Sequence, residues 1–236
     1  MTLKPEDAAV LIAQTRSEST VLVGGQAVGF WAKHFGIRPR LPALTGDIDY
    51  LGTKAEAKRV SAQLKLRHRL KTATLDVHTP NSAVLSVEMR GYPEPILIDY
   101  LASVIGVATE AIEKSAVVVE FEGETLRVLH PLHLLQTKLW NLYRLEDKRT
   151  PEGVEQARLS IEIVAAFIEQ ANLSRKELLN TIEAIGRFAA TAPARFVAER
   201  YKLDCLSAIP QSVFQKGVLP KEFHEKRWPQ ILAAVR

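Results

Sequence analysis

The sequence is poor in cysteine, methionine and aromatic residues: among 236 residues it has one cysteine, Cys205, two methionines and 7% aromatics. A lone cysteine cannot form a disulfide within the chain and excludes a metal site built from several thiolates. No apolar run approaches the roughly 18 residues of a membrane-spanning segment, and the first residues lack the basic start and apolar core of a secretory signal. We therefore expect a cytoplasmic protein without a membrane partner.

The composition also lacks the biases of disordered or fibrous chains, since 47% of the residues are hydrophobic, 25% are charged, and no repeat or low-complexity tract occurs. The net charge is +4 and the pI is about 9.2. Residues 1–128 carry 15 basic and 15 acidic side chains, whereas residues 129–236 carry 16 and 12, so the surplus lies in the C-terminal part. Such a charge permits nucleic-acid binding, but a mildly basic solvated surface is the commoner explanation.

The N-terminal part of the chain alternates between helical and extended patterns of apolar residues. The predicted helices span residues 5–17, 26–35 and 54–66, and the predicted strands span residues 20–23, 47–51, 72–78, 83–89, 95–101, 117–122 and 125–129. The last two strands flank Glu122-Gly123-Glu124 and are typical of a hairpin.

Beyond Pro131 the pattern becomes helical, with predicted helices over residues 132–145, 152–170, 174–190 and 195–206. Ser174 and Glu177 have the spacing of a capping box, which marks a helix start. Strands followed by helices predict an α+β fold with a helical C-terminal domain. We place the boundary near His130-Pro131, which gives an α+β domain over residues 1–130 and a helical domain over residues 131–236.

The sharpest candidate for chemistry is Asp47-Ile48-Asp49 in a predicted strand. Side chains at i and i+2 of a strand point to the same face, so the two carboxylates are about 6–7 Å apart along the backbone. Two neighbouring acids repel unless a cation lies between them, and a pair of Mg²⁺ ions uses such hard oxygen ligands to hold a phosphate and activate an oxygen nucleophile. The alternative is a pair of solvated acids at a strand end.

Gly24-Gly25-Gln26 lies between a predicted strand and a predicted helix. Glycines at such a junction let the backbone approach a ligand closely, and the first N–H groups of a helix attract anions. Taken alone, a Gly-Gly pair is more often a plain turn. Ahead of the Asp pair, it would place a phosphate cradle beside a metal site.

Asp99 is a third candidate, because it lies in an otherwise apolar strand where an acid is unfavourable unless it is paired, hydrogen-bonded or bound to metal. Its alternative role is an acid at an exposed strand end. Asp76, in a more polar segment, competes with Asp99 for the place of third carboxylate.

Three segments together resemble the nucleotidyltransferase superfamily with the polymerase-β-like fold, and more narrowly its bacterial branch of AbiEii-like toxins and stand-alone proteins. The segments are Gly24-Gly25-Gln26-Ala27-Val28, Thr45-Gly46-Asp47-Ile48-Asp49 and Ile98-Asp99. The resemblance covers most of residues 18–165. It implies a mixed sheet flanked by helices and an enzyme that transfers a nucleoside monophosphate from a nucleoside triphosphate to a hydroxyl acceptor.

The same resemblance implies roles for individual residues. Two Mg²⁺ ions would be bound by the catalytic carboxylates Asp47, Asp49 and Asp99. The nucleoside triphosphate would be bound by Gly24, Gly25, Gln26, Thr45, Lys138 and Arg144. For Arg144, a surface role at the C-terminal end of a helix is at least as good an explanation.

The acceptor is not indicated by the sequence; RNA is one candidate, and a toxin would have a cognate antitoxin as partner. The toxin-like relatives continue with a Lys-Asp-x-x-Asp element, whereas this chain has Lys148 followed by Arg149 and offers Glu155 as the nearest substitute acid. A catalytically degenerate member of the fold that binds a nucleotide or a partner protein is therefore the alternative.

Two further groups have mainly structural interpretations. His130 and His133 flank a predicted helix start, where capping or packing is favoured over zinc binding because no other His or Cys is clustered with them. A basic stretch could contact a polynucleotide backbone, although a solvated helix end is favoured. It consists of Lys65, Arg67, Arg69 and Lys71.

Overall fold

The computed structural model describes residues 3–41, 45–74, 79–215 and 217–235. Its strands are β1 (Val21–Val23), β2 (Ile48–Leu51), β3 (His68–Thr72), β4 (Asn81–Val87), β5 (Ile96–Leu101), β6 (Val117–Phe121) and β7 (Glu124–Val128). They form one sheet in the order β3-β4-β5-β2-β1-β7-β6. The pairs β1–β7 and β2–β5 are parallel and the remaining neighbours are antiparallel, so the sheet is mixed.

The α-helices among the described residues are α1 (Pro5–Thr15), α2 (Gly24–His34), α3 (Lys54–Gln63), α4 (Thr109–Ser115), α5 (Pro131–Arg144), α6 (Pro151–Gln170), α7 (Arg175–Ala189), α8 (Ala192–Tyr201) and α9 (Trp228–Val235). Short 3-10 turns and one π-helical turn, Phe223–Arg227, connect the later helices. Within the described ranges, no helix has both the length and the apolar character needed to cross a membrane. The predicted α+β class, with a mixed sheet flanked by helices and a helical C-terminal part, is confirmed.

The chain divides into two compact units. The N-terminal unit comprises Met1–Phe30 and Arg40–Leu134 and contains the whole sheet. The C-terminal unit comprises Trp31–Pro39 and Leu135–Arg236 and contains helices only among its described elements. Cys205 is buried in this second unit, and burial raises the pKa of its thiol to about 12, so the group is not a reactive thiolate.

Local signals in the sequence start several of these helices. In α3, the side chain of Thr53 accepts a hydrogen bond from the backbone N–H of Glu56, whose carboxylate accepts one from the N–H of Thr53. The predicted capping box of α7 is confirmed by the same reciprocal pair of bonds between Ser174 and Glu177. These bonds satisfy N–H groups that the first turn of a helix leaves without partners.

Of the strand predicted over residues 72–78, Thr72 ends β3 (His68–Thr72), residues 73 and 74 do not belong to a strand, and residues 75–78 lie outside the described part of the chain. The preceding helix ends at Gln63, so the basic stretch runs into an edge strand and not along a helix end. Arg69 and Lys71 alternate with half-buried residues as β3 pairs with β4. The β-propensity of the sequence did not indicate β3, because its exposed positions, Arg69 and Lys71, are both charged. Its position depends on pairing with β4, which lies further along the chain.

Candidate metal centre

Two neighbouring parallel strands bring the predicted carboxylates together. In the pairing of β2 with β5, Asp49 and Asp99 are register partners, and Asp47 immediately precedes β2. One carboxylate oxygen from each of the three acids lies within 4.8 Å of the others, and all three residues are half-buried. Within the described residues, no other group of three or more His, Cys, Asp or Glu side chains converges in this way.

Side-chain packing on the opposite face of β2 and β5 explains why the acids point to this face of the sheet. Tyr50 and Tyr100 are fully buried, and their rings stack with centroids 5.6 Å apart. The hydroxyl of Tyr100 donates a hydrogen bond of 2.9 Å to the carbonyl of Thr15 in α1, and burial raises the pKa of both phenols. Since strand side chains alternate between faces, these anchored aromatics turn Asp49 and Asp99 to the other side of the sheet.

Gly24 closes one side of the carboxylate cluster. It follows Val23, which is the register partner of Asp49 in the pairing of β1 with β2, and it begins α2 two residues before the predicted start. A β-carbon on Gly24 would lie only 1.8 Å from Oδ2 of Asp49, and the φ of Gly24 is +67°. Only glycine fits both the backbone conformation and this close approach.

Thr45 and Gln26, which were predicted to contact the nucleotide, hold Asp47 in place. The hydroxyl of Thr45 donates a hydrogen bond to Oδ1 of Asp47. The side-chain amide of Gln26 donates to the backbone carbonyl of Asp47 at 3.2 Å. Gly25 is buried at the start of α2. The Gly-Gly segment and the Asp pair, which the sequence suggested would lie together, are therefore in direct contact.

Asn81 is a member of the site that sequence reasoning missed. Its side-chain amide donates a hydrogen bond of 3.0 Å to Oδ1 of Asp99. Asn81 begins β4, next to an irregularity between Asn81 and Ala83 in the pairing of β4 with β5. The asparagine carries no motif signal of its own, so only the strand pairing could have revealed it.

Two acids, Asp99 and Asp76, were candidates for the third carboxylate. Asp99 lies in the cluster, as described above. Asp76 falls among residues 75–78, outside the described residues. The structural assignment of a third carboxylate therefore concerns Asp99.

Lys138 and Arg144 belong to the C-terminal unit. Lys138 is buried, and its ammonium donates a hydrogen bond of 2.8 Å to the side-chain oxygen of Gln156 in α6. The guanidinium of Arg144 lies over the rings of Trp140 and Tyr143, 5.7 Å from each centroid. Their predicted phosphate contacts stay predictions.

Glu155, the substitute for the missing acid of the toxin-like element, has a structural partner. It is buried in α6, and both of its carboxylate oxygens accept hydrogen bonds of 2.7 Å from the guanidinium of Arg158. Arg158 also pairs with Glu162. A carboxylate held by a bidentate bond to arginine has less freedom to orient another group.

His130 serves as a cap, as the structural interpretation of the histidine pair predicts. Its Nδ1 accepts a hydrogen bond of 3.1 Å from the backbone N–H of Leu132 at the start of α5. The ring of His133 lies 6.1 Å away, edge to face. Burial, together with the charge of His133, lowers the pKa of His130 to about 4. The ring is therefore neutral near pH 7.

The chemistry of the acidic cluster suits a divalent cation. Three like charges converge, and their repulsion is strong where water is partly excluded. All the donors are carboxylate oxygens, the ligands that Mg²⁺ prefers, and no thiolate or imidazole takes part in the cluster. The missing side chain at Gly24 leaves the backbone free to come close to Asp49. The residues present therefore fit a hard metal ion.

No family model and no curated protein matches this chain. Among solved structures, JHP933 from Helicobacter pylori is similar, with 13% sequence identity, a TM-score of 0.41, and coverage of 96% of this chain and 92% of that one. A protein from H. pylori provisionally described as a nucleotidyltransferase is similar with 14% identity, a TM-score of 0.38, and coverage of 84% and 81%. Both likenesses are distant, so function has to be inferred from the residues of this chain.

Proposed function

We propose that this protein is a Mg²⁺-dependent nucleotidyltransferase, which transfers a nucleoside monophosphate from a nucleoside triphosphate to a hydroxyl acceptor and releases pyrophosphate. The observation that carries the proposal is the convergence of Asp47, Asp49 and Asp99 within 4.8 Å on two adjacent strands. Membership of the AbiEii-like branch, and an antitoxin partner, remain predictions from the sequence.

In the proposed reaction, the acceptor oxygen forms a bond to the α-phosphorus while the bond from that phosphorus to the pyrophosphate oxygen breaks. Asp47 and Asp49 would hold two Mg²⁺ ions, with Asp99 sharing one of them. Bound there, the metal supplies neutralisation of the triphosphate charge. Asp99 would accept the proton that the acceptor hydroxyl loses, and the backbone at Gly24 and Gly25 would contact the phosphates.

Thr45, Gln26 and Asn81 would act through the carboxylates. Thr45 and Gln26 fix Asp47, and Asn81 fixes one oxygen of Asp99, so that the remaining oxygens are held in position before substrate binds. Fixed groups of this kind lower the cost of reorganisation in the transition state. Binding of the triphosphate by Lys138 and Arg144 rests on the resemblance alone.

The direct test is label transfer from each of four α-³²P-labelled nucleoside triphosphates, with Mg²⁺, to total RNA, to proteins and to the chain itself. Asp49→Asn should reduce transfer at least 100-fold, because loss of a metal-binding carboxylate removes several kcal/mol of transition-state stabilisation. Asp147→Asn, at an exposed position in the other unit, is the control and should retain wild-type transfer. Undiminished transfer by Asp49→Asn would overturn the proposal.

A second candidate, a nucleotide-binding protein of this type without transferase activity, is favoured by the pairing of Glu155. This acid is held by Arg158, so the acceptor-side role that it would take in an active relative is not open to it in this arrangement. Calorimetry separates the two candidates. Nucleotide binding that needs Mg²⁺ and Asp49, without transfer to any acceptor pool, would support this candidate over the enzyme.

A further inference from the structure

A cleft of about 700 Å³ opens on the surface of the C-terminal unit. One wall is a face of α7, where Lys176, Leu179 and Glu183 line the cleft at helical intervals of three and four residues. The other wall is the segment around the π-helical turn Phe223–Arg227. Pockets that hold small molecules have volumes of about 300–1,000 Å³. The cleft therefore has the size that a small molecule needs.

Specific contacts join the two walls of the cleft. The Nε of Arg227 donates a hydrogen bond of 3.0 Å to a carboxylate oxygen of Glu183 in α7. One turn further along, α7 approaches α9 so closely that a β-carbon on Gly186 would lie 2.5 Å from a side chain of α9. At the start of α7, the guanidinium of Arg175 donates a hydrogen bond of 3.0 Å to the carbonyl of Gly217. The cleft is thus formed before a ligand binds, which lowers the cost of ordering it on binding.

The apolar residues of the cleft are its least exposed ones. Leu179 and Pro220 are half-buried, and Phe223 is buried. The ring of Phe223 stacks on that of Trp228, with centroids 6.3 Å apart, so its position is fixed. Small-molecule sites are mostly apolar inside and carry a few polar groups that orient the ligand. This interior favours a ligand with an apolar body.

The rim of the cleft carries an excess of positive charge. The ionisable residues that line it are the cations Arg175, Lys176, Lys226 and Arg227 and the acids Glu183 and Glu222. Arg227 is occupied by Glu183, whereas in the described part of the chain neither Lys176 nor Lys226 lies in a salt bridge. Both lysines are exposed. The charge of the rim is therefore complementary to an anion.

We propose that this cleft binds a small amphipathic anion, with its carboxylate or phosphate group between Lys176 and Lys226 and its apolar body against Leu179 and Phe223. Ammonium groups bind such oxygens through charge-assisted hydrogen bonds. A cleft between one helix face and one short segment suits a compact ligand better than a protein partner. None of these residues belongs to the carboxylate cluster, so the inference goes beyond the proposed function.

The test is isothermal titration calorimetry with 1-naphthyl phosphate and with 1-naphthoate, which carry the two kinds of anionic group on the same apolar body. EDTA is present, so that no metal links a probe to the carboxylate cluster. Inorganic phosphate and 1-naphthalenemethanol supply the anion and the body alone. We expect one of the two probes to bind a single site about tenfold or more tightly than either part, because its two contacts act together.

The double variant Lys176→Gln with Lys226→Gln should weaken binding of that probe about tenfold or more, because hydrogen bonds to charged groups are lost. The matched control, Lys148→Gln with Lys202→Gln, removes the same charge from exposed positions of the same unit outside the cleft. It should stay within about twofold of wild type, since salt screens distant charges. Leu179→Ala should also weaken binding and make its heat-capacity change less negative, because less apolar surface is buried.

Several outcomes would overturn the inference. They are equal losses in the two double variants, no binding of either probe by the wild-type chain, and unchanged binding by Leu179→Ala. Tighter binding of poly-glutamate than of either probe, lost in the Lys176 and Lys226 variant, would assign the cleft to an acidic protein segment and reject a small ligand. Circular dichroism of the variants checks that they fold alike.

Failure of this inference is distinguishable from failure of the proposed function. The probes are measured without metal, so Asp49→Asn should bind them as the wild type does. Probe binding in the cleft without any nucleotide transfer would support the cleft and reject the enzyme. Loss of probe binding in Asp49→Asn would place the probe at the carboxylate cluster and overturn the inference.

Discussion

Gly24 lies against Asp49 so closely that a β-carbon on the glycine would be 1.8 Å from a carboxylate oxygen. The contact joins the end of β1 to the acid of β2 that pairs with Asp99. The requirement for glycine here therefore comes from the carboxylate as well as from the backbone conformation.

Gly24→Ala should reduce both stability and metal binding. The left-handed φ alone costs about 1–2 kcal/mol for a residue with a β-carbon, and the overlap forces the Asp49 side chain to move. We expect urea denaturation to show a loss of about 1–3 kcal/mol in the free energy of unfolding, and Mn²⁺ binding to weaken. Gly29→Ala in the same helix meets nothing within 4 Å and should be neutral or stabilising by about 0.5–1 kcal/mol. Equal behaviour of the two variants would contradict the assignment.

Asn81→Ala should raise the Mg²⁺ concentration needed for half-maximal activity, by about 10-fold or more, as is usual when a partner of a metal ligand is removed. Asn81→Asp should be worse, because it replaces the donor to Asp99 with a negative charge. A Mg²⁺ titration of activity, checked by direct Mn²⁺ binding, makes the measurement. Ser86→Ala on the same strand is the control. A fall in maximal rate with an unchanged Mg²⁺ requirement would argue against a positioning role.

Glu155→Ala should destabilise the C-terminal unit, because it leaves the buried Arg158 without its bidentate partner. Breaking a buried ion pair on one side typically costs about 3–5 kcal/mol, although Glu162 would retain part of the interaction here. Lys221→Ala, in an exposed pair with Glu225, should cost less than about 1 kcal/mol. Urea denaturation measures the free energy of unfolding of both variants and of the wild type. A Glu155→Ala protein of normal stability but without activity would instead support an acceptor-side role for Glu155.

His130 should make stability depend on pH. Its pKa is lowered from 6.5 to about 4 in the folded chain, so between these values the unfolded chain binds more protons and stability falls as the pH falls. The contribution is fully present above pH 6.5 and is lost progressively toward pH 4, with an upper limit of about 3 kcal/mol. Urea denaturation at pH 7 and pH 4.5 measures the change.

The matched variant for this prediction is His130→Asn. Asparagine keeps an acceptor for the N–H of Leu132 at the start of α5 but does not titrate. The part of the pH dependence that His130 contributes should therefore disappear in this variant. If wild type and variant lose the same stability between pH 7 and pH 4.5, other groups are responsible.

Most helices and the hairpin of β6 and β7 could be predicted because they depend on local signals. The capping box at Ser174 and Glu177 starts α7 by bonds between residues three apart. The hairpin of β6 and β7 turns at Glu122 and Gly123, both with positive φ. In contrast, most of β3 was missed because its charged outward positions gave no apolar pattern, and its pairing with β4 decides its position.

The amino-acid sequence by itself determined that Asp47 and Asp49 can share one face, because side chains alternate along a strand whatever its surroundings. It also indicated that the glycine pair lies where a helix starts, and α2 begins at Gly24. Only the tertiary structure decided that Asp99 joins these acids and that Asn81 holds Asp99. Each of these relationships depends on pairing between strands distant in the chain, and local conformational preferences do not specify such pairing.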